Sequence, residues 1–560
     1  MTSRKINQPL IIVSLTNHGR VAADVPTPFN TAALFCPRCG RTSRLDQERT
    51  VAVDIQQAVF CFLADPVTHG GQPVKRIDTH AASVFLAGKR AFKVKRAVRF
   101  PFLDYSTLER RHAACLAEVK VNQRFAPQIY RGVVAIRRAP SGELSIGGCG
   151  TPVEWAVEMR RFDEAATLDR VAEIGQVDFA LAEALGRMAA SMHATAPAVA
   201  AEPWIHALPS YLDQNYAVFR SHSRVFAPSR IDALDAASRQ TLARLHPLLE
   251  ERGGGGLVRR GHGDLHLGNI VVIDGHPVPF DAVEFDPVIA SGDVLYDLAF
   301  LLMDLVDRGL SAAANRVLNR YLIETRRPED LDGLTALPFF LSLRAAIRAM
   351  VVASRLDQTE ATKHPSFAQS ASAYFDLACK AIVPPPPTLV AIGGLSGSGK
   401  SELARALAPE LTPIPGGVVL RSDVERKALF GVDENHRLAA EAYGADVTAR
   451  VYATLQDRAQ RVVTAGHSTI VDATFADAKE RWAIAAGAAA CGVTFRGLFL
   501  QADLDTRVGR VGARRHDASD ADVGLVRRQH SDLVAESGWR PIDASGIPSE
   551  TLRRARDALC

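Results

Sequence analysis

Long apolar runs, regularly spaced cysteines and an excess of either charge are all missing from this chain of 560 residues. No stretch comes near the roughly 18 unbroken apolar residues of a membrane-spanning helix, so no span is expected. Arg4 and Lys5 precede only Leu10-Ile11-Ile12-Val13, too short for the apolar core of an export signal. The expectation is a cytoplasmic protein without a membrane partner. Cysteines stand at 36, 39, 61, 115, 149, 379, 491 and 560, too dispersed for a disulfide framework. Cys36-Pro37-Arg38-Cys39 is the one suggestive pair, but a zinc site needs further ligands and no second CxxC or HxxxH lies nearby. Both read as loop thiols. Lys and Arg total 66 against 62 Asp and Glu, and aromatics make up 7%. That balance speaks against nucleic acid as a partner, which calls for a basic groove with interleaved aromatics.

What is present suffices for several cores. At roughly 150 residues per domain the length suggests about three to four domains. With 47% hydrophobic and 23% charged residues, global disorder is excluded. The sharpest punctuation is Pro384-Pro385-Pro386-Pro387, which can continue neither a helix nor a central strand and favours a stiff spacer. The chain therefore divides into a poorly patterned extension over 1–54, a first domain over 55–382, a proline linker over 383–388 and a second domain over 389–560. Each half is long enough to bury its own core, so the two are expected to fold and bind ligands separately.

In the first half, Ser83–Leu86 and Ala91–Lys95 flank a hairpin turn, Thr107 to Arg124 reads as a helix, and Val153 to Met159 as a strand. From Asp178 to Asp376 the pattern is mostly helical, interrupted by strand and loop between His262 and Asp286. A small β-rich lobe ahead of a larger helical lobe follows from that order. The segment His262-Gly263-Asp264-Leu265-His266-Leu267-Gly268-Asn269 has the HxDxxxxN spacing that phosphoryl transfer uses. Such chemistry needs a carboxylate to orient the attacking hydroxyl and take its proton, and an oxygen ligand for Mg²⁺ a few residues on. Asp264 and Asn269 fit those roles. A hairpin turning at Asp274-Gly275 then delivers Asp281, a second carboxylate suited to Mg²⁺.

These residues, with the runs FDAVEFDP and GDVLYDLAFL, resemble the aminoglycoside phosphotransferase-like branch of the protein-kinase-like fold. The resemblance implies that Asp264 is the catalytic base, Asn269 and Asp281 metal ligands, and Lys93 the lysine that grips the nucleotide phosphates. Lys95 shares its strand face and remains open as an alternative. Glu118, seven residues before Phe125-Ala126-Pro127, matches the glutamate that pairs with that lysine, and Met159-Arg160-Arg161-Phe162 matches the hinge. No clear GxGxxG precedes the lysine strand. Asp297 reads as a helix cap or buried hydrogen-bond acceptor and stays outside the site. Residues 301–380 carry nine acids against ten Lys plus Arg, no acidic pocket for a polycationic drug.

After the prolines, Gly394-Leu395-Ser396-Gly397-Ser398-Gly399-Lys400-Ser401 satisfies GxxxxGK[ST] between an apolar strand and a helix. Backbone amides of this loop wrap phosphates, Lys400 reaches them and Ser401 coordinates Mg²⁺. Thr469-Ile470-Val471-Asp472 places Asp472 in the metal shell. Asp423 and Arg426, three apart after a strand, are suited to orient a hydroxyl and hold an anionic group. Arg507, Arg510, Arg514 and Arg515 cluster as in a closing lid, with Arg514 taken as a nucleotide contact. This half resembles the small P-loop kinases of the gluconate-kinase, zeta-toxin and polynucleotide-kinase type. The order of parts resembles a bacterial family of bifunctional aminoglycoside phosphotransferase-like and P-loop ATP-binding proteins.

The resemblance implies an α+β, two-lobed kinase-like domain followed by an α/β P-loop domain with a parallel sheet, and ATP and Mg²⁺ as cofactors. The expected function is ATP-dependent phosphotransfer at two sites, each to a small-molecule hydroxyl on a sugar, polyol or amino alcohol. One alternative makes one half a regulatory ATP-binding sensor. Another makes the P-loop half a nucleic-acid 5′-hydroxyl kinase.

Overall fold

The structure is a computed structural model that describes residues 55–100, 103–356, 364–513, 517–529 and 538–559. Cys36, Cys39, Arg514 and Arg515 lie outside the described residues. The chain forms two compact units, one of 55–176 with Arg260–Gly292, the other of Val177–Arg259 with residues 293–559.

The first unit is built on a six-stranded antiparallel sheet. Its order is Val74–Asp78, Ala82–Ala87, Arg90–Lys95, Thr151–Arg160, Tyr130–Arg138, Leu144–Ile146. The hairpin expected around residue 88 is present, with Gly88 at φ 53 closing the register Ala87↔Arg90. Alternation along Arg90–Lys95 decides the site. Phe92 and Val94 pack with Phe85, Ile136 and the helix Ile55–Ala64, so Lys93 and Lys95 point to the opposite face. On that face lies the helix Leu108–Asn122, started by Thr107, whose hydroxyl accepts from Arg110 N at 3.3 Å. It packs through Cys115 and Val119 on Val157 and on Val271 and Val278 of the hairpin Ile270–Ile273/His276–Pro279.

In the second unit, helices Phe179–Thr195, Glu202–Ser221, Pro228–Gly254, Val294–Asp307, Ser311–Thr325, Leu337–Ser354 and His364–Ile382 form the helical lobe. Residues 294–305 are buried at every position, so this helix is its apolar centre. The stretch Pro328–Ser354 has the length and composition of a membrane span, yet 89% of its apolar window is buried in the protein. Arg344 and Arg348 interrupt it; Arg344 sits 3.8 Å from the centre of the Tyr296 ring.

The same unit holds a five-stranded parallel sheet, ordered Val418–Arg421, Thr469–Asp472, Thr388–Gly394, Thr494–Gln501, Trp539–Asp543. Buried Val390, Ile392, Ile470, Leu498 and Leu500 pack with Leu403, Leu407 and Ala555 to form its core. Val418–Arg421 is an edge strand whose outward backbone is not left to solvent. Asn319, on the helix Ser311–Thr325, accepts from Val419 N at 2.7 Å and donates to Gly417 O at 3.2 Å. Asn315, one turn earlier, donates to the same oxygen at 3.0 Å. Arg320 pairs with Glu434 at 2.7 Å and Arg461 with Asp332 at 2.9 Å. The helical lobe thus supplies the sheet edge with the partner a further strand would have been, a tie beyond the proline spacer that the composition did not reveal.

Candidate active sites

The first site lies within the first unit. A cavity of about 350 Å³ is lined by Val84, Leu86, Ala91, Met159 and Phe280, with Lys93 and Asp281 among its polar groups. Lys95 is not on its wall, and the two lysines are thereby distinguished. Lys93 Nζ lies 2.9 Å from Glu118 and 2.5 Å from Asp281; Lys95 Nζ lies 2.5 Å from Glu118 and 2.5 Å from Glu284. Burial works against both ammonium charges, but these carboxylates outweigh it and hold both lysines above their ordinary value. Burial also favours a neutral Glu118, yet Lys93 and Lys95 bring its carboxyl down to about 2.

Asp281 has φ 61, a left-handed conformation that aspartate tolerates better than most residues. Its backbone is pinned: Asp281 N donates to Tyr130 Oη at 3.1 Å, and Ala282 N to Asn122 Oδ1 at 2.8 Å. The turn that projects Asp281 matches expectation, with Asp274 at φ 51 and Gly275 at φ 79. In the loop before it, His262 Nε2 faces Phe280 O at 3.0 Å and its Nδ1 accepts from Asp264 N at 3.3 Å. Asn269 Nδ2 donates to Asp264 O at 3.0 Å and to Asp264 Oδ2 at 3.1 Å, so base and ligand candidates are held as one piece. His266 Nε2 lies 3.5 Å from Asp264 Oδ2. Asn269 Oδ1 is buried with no hydrogen-bond partner among the described residues. A buried acceptor left over in this way, on the side chain that also holds the Asp264 carboxylate, fits a hard oxygen-seeking cation such as Mg²⁺.

The second site is built from backbone more than side chains. Gly394, Gly397 and Gly399 have φ 139, 86 and 94. A Cβ at Gly397 would stand 2.6 Å from Arg507 O, and one at Gly394 2.6 Å from Leu500 O. Buried Ser398 belongs to the same loop. Gly399 caps the helix Lys400–Leu407, and Lys400 Nζ donates to Leu395 O at 3.2 Å. Ser401 Oγ donates to Asp472 Oδ2 at 2.5 Å, the two oxygens a divalent cation would share. Asp423 lies within the electrostatic reach of Arg421, Asp472 and Lys400. Burial pushes its carboxyl up; Arg421 and Lys400 offset part of this and Asp472 adds to it.

Two expectations change here. Arg426 does not face an open anion site: it is 7% exposed, donates to Ala442 O at 2.7 Å and lies 4.8 Å from the centre of the Tyr443 ring. Its role is to fix the segment that follows. The cation beside the cradle is Arg421, whose Nη2 lies 3.1 Å from Ser401 Oγ and 3.0 Å from Asp517 Oδ1. Of the lid arginines, Arg507 is a buried brace donating to Ser396 O at 3.0 Å, and Arg510 reaches Ser398 O at 3.4 Å. Sequence reasoning also passed over Asn122 and Tyr130. Asn122 is one helical turn after Glu118, a spacing that could have flagged it. Nothing local marks Tyr130. Asp297, left outside the site, is a buried partner of His193 at 3.3 Å.

Residues 98–334 match the phosphotransferase enzyme family, and residues 389–535 match an AAA domain. Uncharacterized proteins of Mycobacterium tuberculosis and Mycobacterium bovis are each 30% identical to this chain over 489 residues, 85% of it and 94% of the relative. The chain belongs to their family. This chain joins a phosphotransferase domain to a P-loop kinase domain, and these kinase-type parts imply the use of ATP. Among solved structures, a gluconokinase from Sinorhizobium meliloti aligns at 20% identity and TM-score 0.23, over 31% of this chain and 94% of that one. A choline/ethanolamine kinase family protein from Mesorhizobium loti aligns at 15% identity and TM-score 0.35, over 59% and 94%.

Proposed function

We propose that the chain is a phosphotransferase with two ATP·Mg²⁺ sites, each passing the γ-phosphoryl group to a hydroxyl of a small molecule such as a sugar, polyol or amino alcohol. The observation that carries this is the loop in which Asn269 braces Asp264 at 3.1 Å while keeping its own buried Oδ1 unpartnered. Asp264 orients the acceptor hydroxyl and takes its proton as the oxygen bonds to phosphorus and the phosphorus–ADP bridge breaks. Lys93 serves the nucleotide phosphates. In the second site the glycine cradle and Lys400 bind phosphates, and Asp423 stands where it can accept the hydroxyl proton. Its raised pKa leaves it a better base than an exposed aspartate. Mg²⁺, held by Asn269 and Asp281 in one site and by Ser401 and Asp472 in the other, would neutralise charge on the transferring phosphoryl.

The test is a metabolite panel screened for ATP-dependent phosphorylation with the full chain, Asp264→Asn and Lys400→Ala. Separate acceptors lost in separate variants support two catalytic sites; no phosphorylation of any acceptor by the parent would sink the reading.

A specific contact favours a second reading, in which one half regulates the other. The helix carrying Asn315 and Asn319 grips the strand that ends at Arg421, ahead of Asp423. Loss of the Asp264-dependent activity in Lys400→Ala would select that reading.

A further inference from the structure

Glu118 is 0% exposed, and the two oxygens of its carboxylate face different ammonium groups, Lys93 at 2.9 Å and Lys95 at 2.5 Å. The lysines differ in what else they hold. Lys93 lines the cavity and is engaged by Asp281. Lys95, 1% exposed, is engaged by Glu284, which also accepts from Tyr105 Oη at 3.2 Å. Lys95 therefore has no route to a ligand in the cavity.

Nucleotide binding asks Lys93 to change partners. Its ammonium must turn to phosphate while Asp281 turns to metal, and a cation serving phosphate neutralises Glu118 less well. A fully buried carboxylate stripped of its counter-ion is strongly disfavoured. An ordinary lysine–glutamate pair would pull the lysine back at that moment. Here the glutamate has a second, permanent counter-ion.

We infer that Lys95 is a positioning residue for the first site, staying on Glu118 so that Lys93 can move between Asp281 and the nucleotide without stranding a buried charge. The inference rests on the ATP·Mg²⁺ reading of that site. Glu284 and Tyr105 complete the device by fixing the Lys95 ammonium on its far side.

The experiment measures ATP·Mg²⁺ binding by calorimetry in the full chain carrying Lys400→Ala, so that the first site alone reports. Lys95→Met and Glu118→Gln are added singly and together. With Glu118 present, Lys95→Met is expected to weaken binding by about tenfold or more; with Gln at 118 the same change should cost less than about threefold. That cancellation is a signature of charge, which a space-filling role would not produce. Equal losses in both backgrounds overturn the inference, as does a Lys95→Met protein that binds within about twofold of its parent. Lys95→Arg guards against a Lys95→Met chain that does not fold. It keeps a cation on Glu118, and binding should hold within about threefold; a loss as large as that of Lys95→Met would show that charge at this position is not what matters and overturn the assignment. A parent chain that binds one ATP, with a Lys400→Ala chain that binds none, overturns the ATP reading of this site together with the inference, which separates the two failures.

Discussion

The two sites meet the same ligand problem with different materials. The first holds its charges as side chains in a buried set, Lys93, Lys95, Glu118, Asp281 and Glu284, already paired with one another. The second offers a glycine loop and a helix start, with Lys400 and the Ser401–Asp472 pair beside it. On the proposed ATP·Mg²⁺ reading, side-chain charge exchanges partners when ligand arrives, whereas the backbone amides of a cradle carry no counter-ion to release. The first design ties affinity to a network, and the second ties it to shape.

Five substitutions sharpen or break that contrast. The largest effect belongs to Asp264→Asn. Turnover at the first site should fall by about a hundredfold to ten-thousandfold, with ATP affinity changed only a few fold; equal turnover in variant and parent would remove Asp264 from the mechanism. Next, Lys400→Ala should weaken nucleotide binding at the second site by roughly tenfold to a hundredfold, the worth of one charge-assisted contact. Gly397→Ala should match it by geometry alone, since its Cβ meets Arg507 O at 2.6 Å at φ 86. Titration with labelled ATP would measure both, and a tolerant Gly397→Ala would break the claim that shape governs this site.

Asn319→Ala comes third. It leaves Val419 N and Gly417 O without this partner, a cost of about 1–3 kcal/mol for a buried group. A lower midpoint in thermal melting is the expected readout, and an unchanged midpoint would mean the edge is secured without Asn319.

The last effect shows only in acid. His467 is 0% exposed, and burial brings its imidazole from 6.5 down to about 3. The folded form stays neutral where the unfolded chain takes up a proton. This contribution to stability is therefore present above about pH 6.5 and is lost as pH falls from there towards about 3. His467→Leu should flatten that part of the pH–stability curve relative to the parent; parallel curves would show that the ring takes up its proton as readily in the fold as in the unfolded chain.

Much of this was legible in residue order. Alternation along Arg90–Lys95 and the Asp274-Gly275 turn are local events, and local rules place them. The HxDxxxxN and GxxxxGK[ST] spacings likewise compress a loop's geometry into a few neighbours. What escaped depends on residues far apart in the chain. Lys93 parts from Lys95 only when the cavity wall is seen, because both share one strand face. Arg426 looked free to bind an anion because nothing nearby in sequence shows Ala442 O, sixteen residues on, accepting its hydrogen bond. Arg421 was passed over for the opposite reason: its partners Ser401, Asp472 and Asp517 are brought to it by the sheet and the segment after Arg510.

The asparagine that completes the sheet edge bears on inheritance. A gene segment can be shuffled freely only if its product keeps its surface when moved. The last 170 or so residues of this chain, Thr388 onward, would arrive in a new host with an open strand edge, ready to recruit another chain. The helix Ser311–Thr325 would be left behind, with Asn315 and Asn319 lacking the backbone they serve. Any chimera that borrows the P-loop half must bring that helix too, or supply another edge cover. Cutting between that helix and the sheet would leave both with unmet hydrogen-bonding groups.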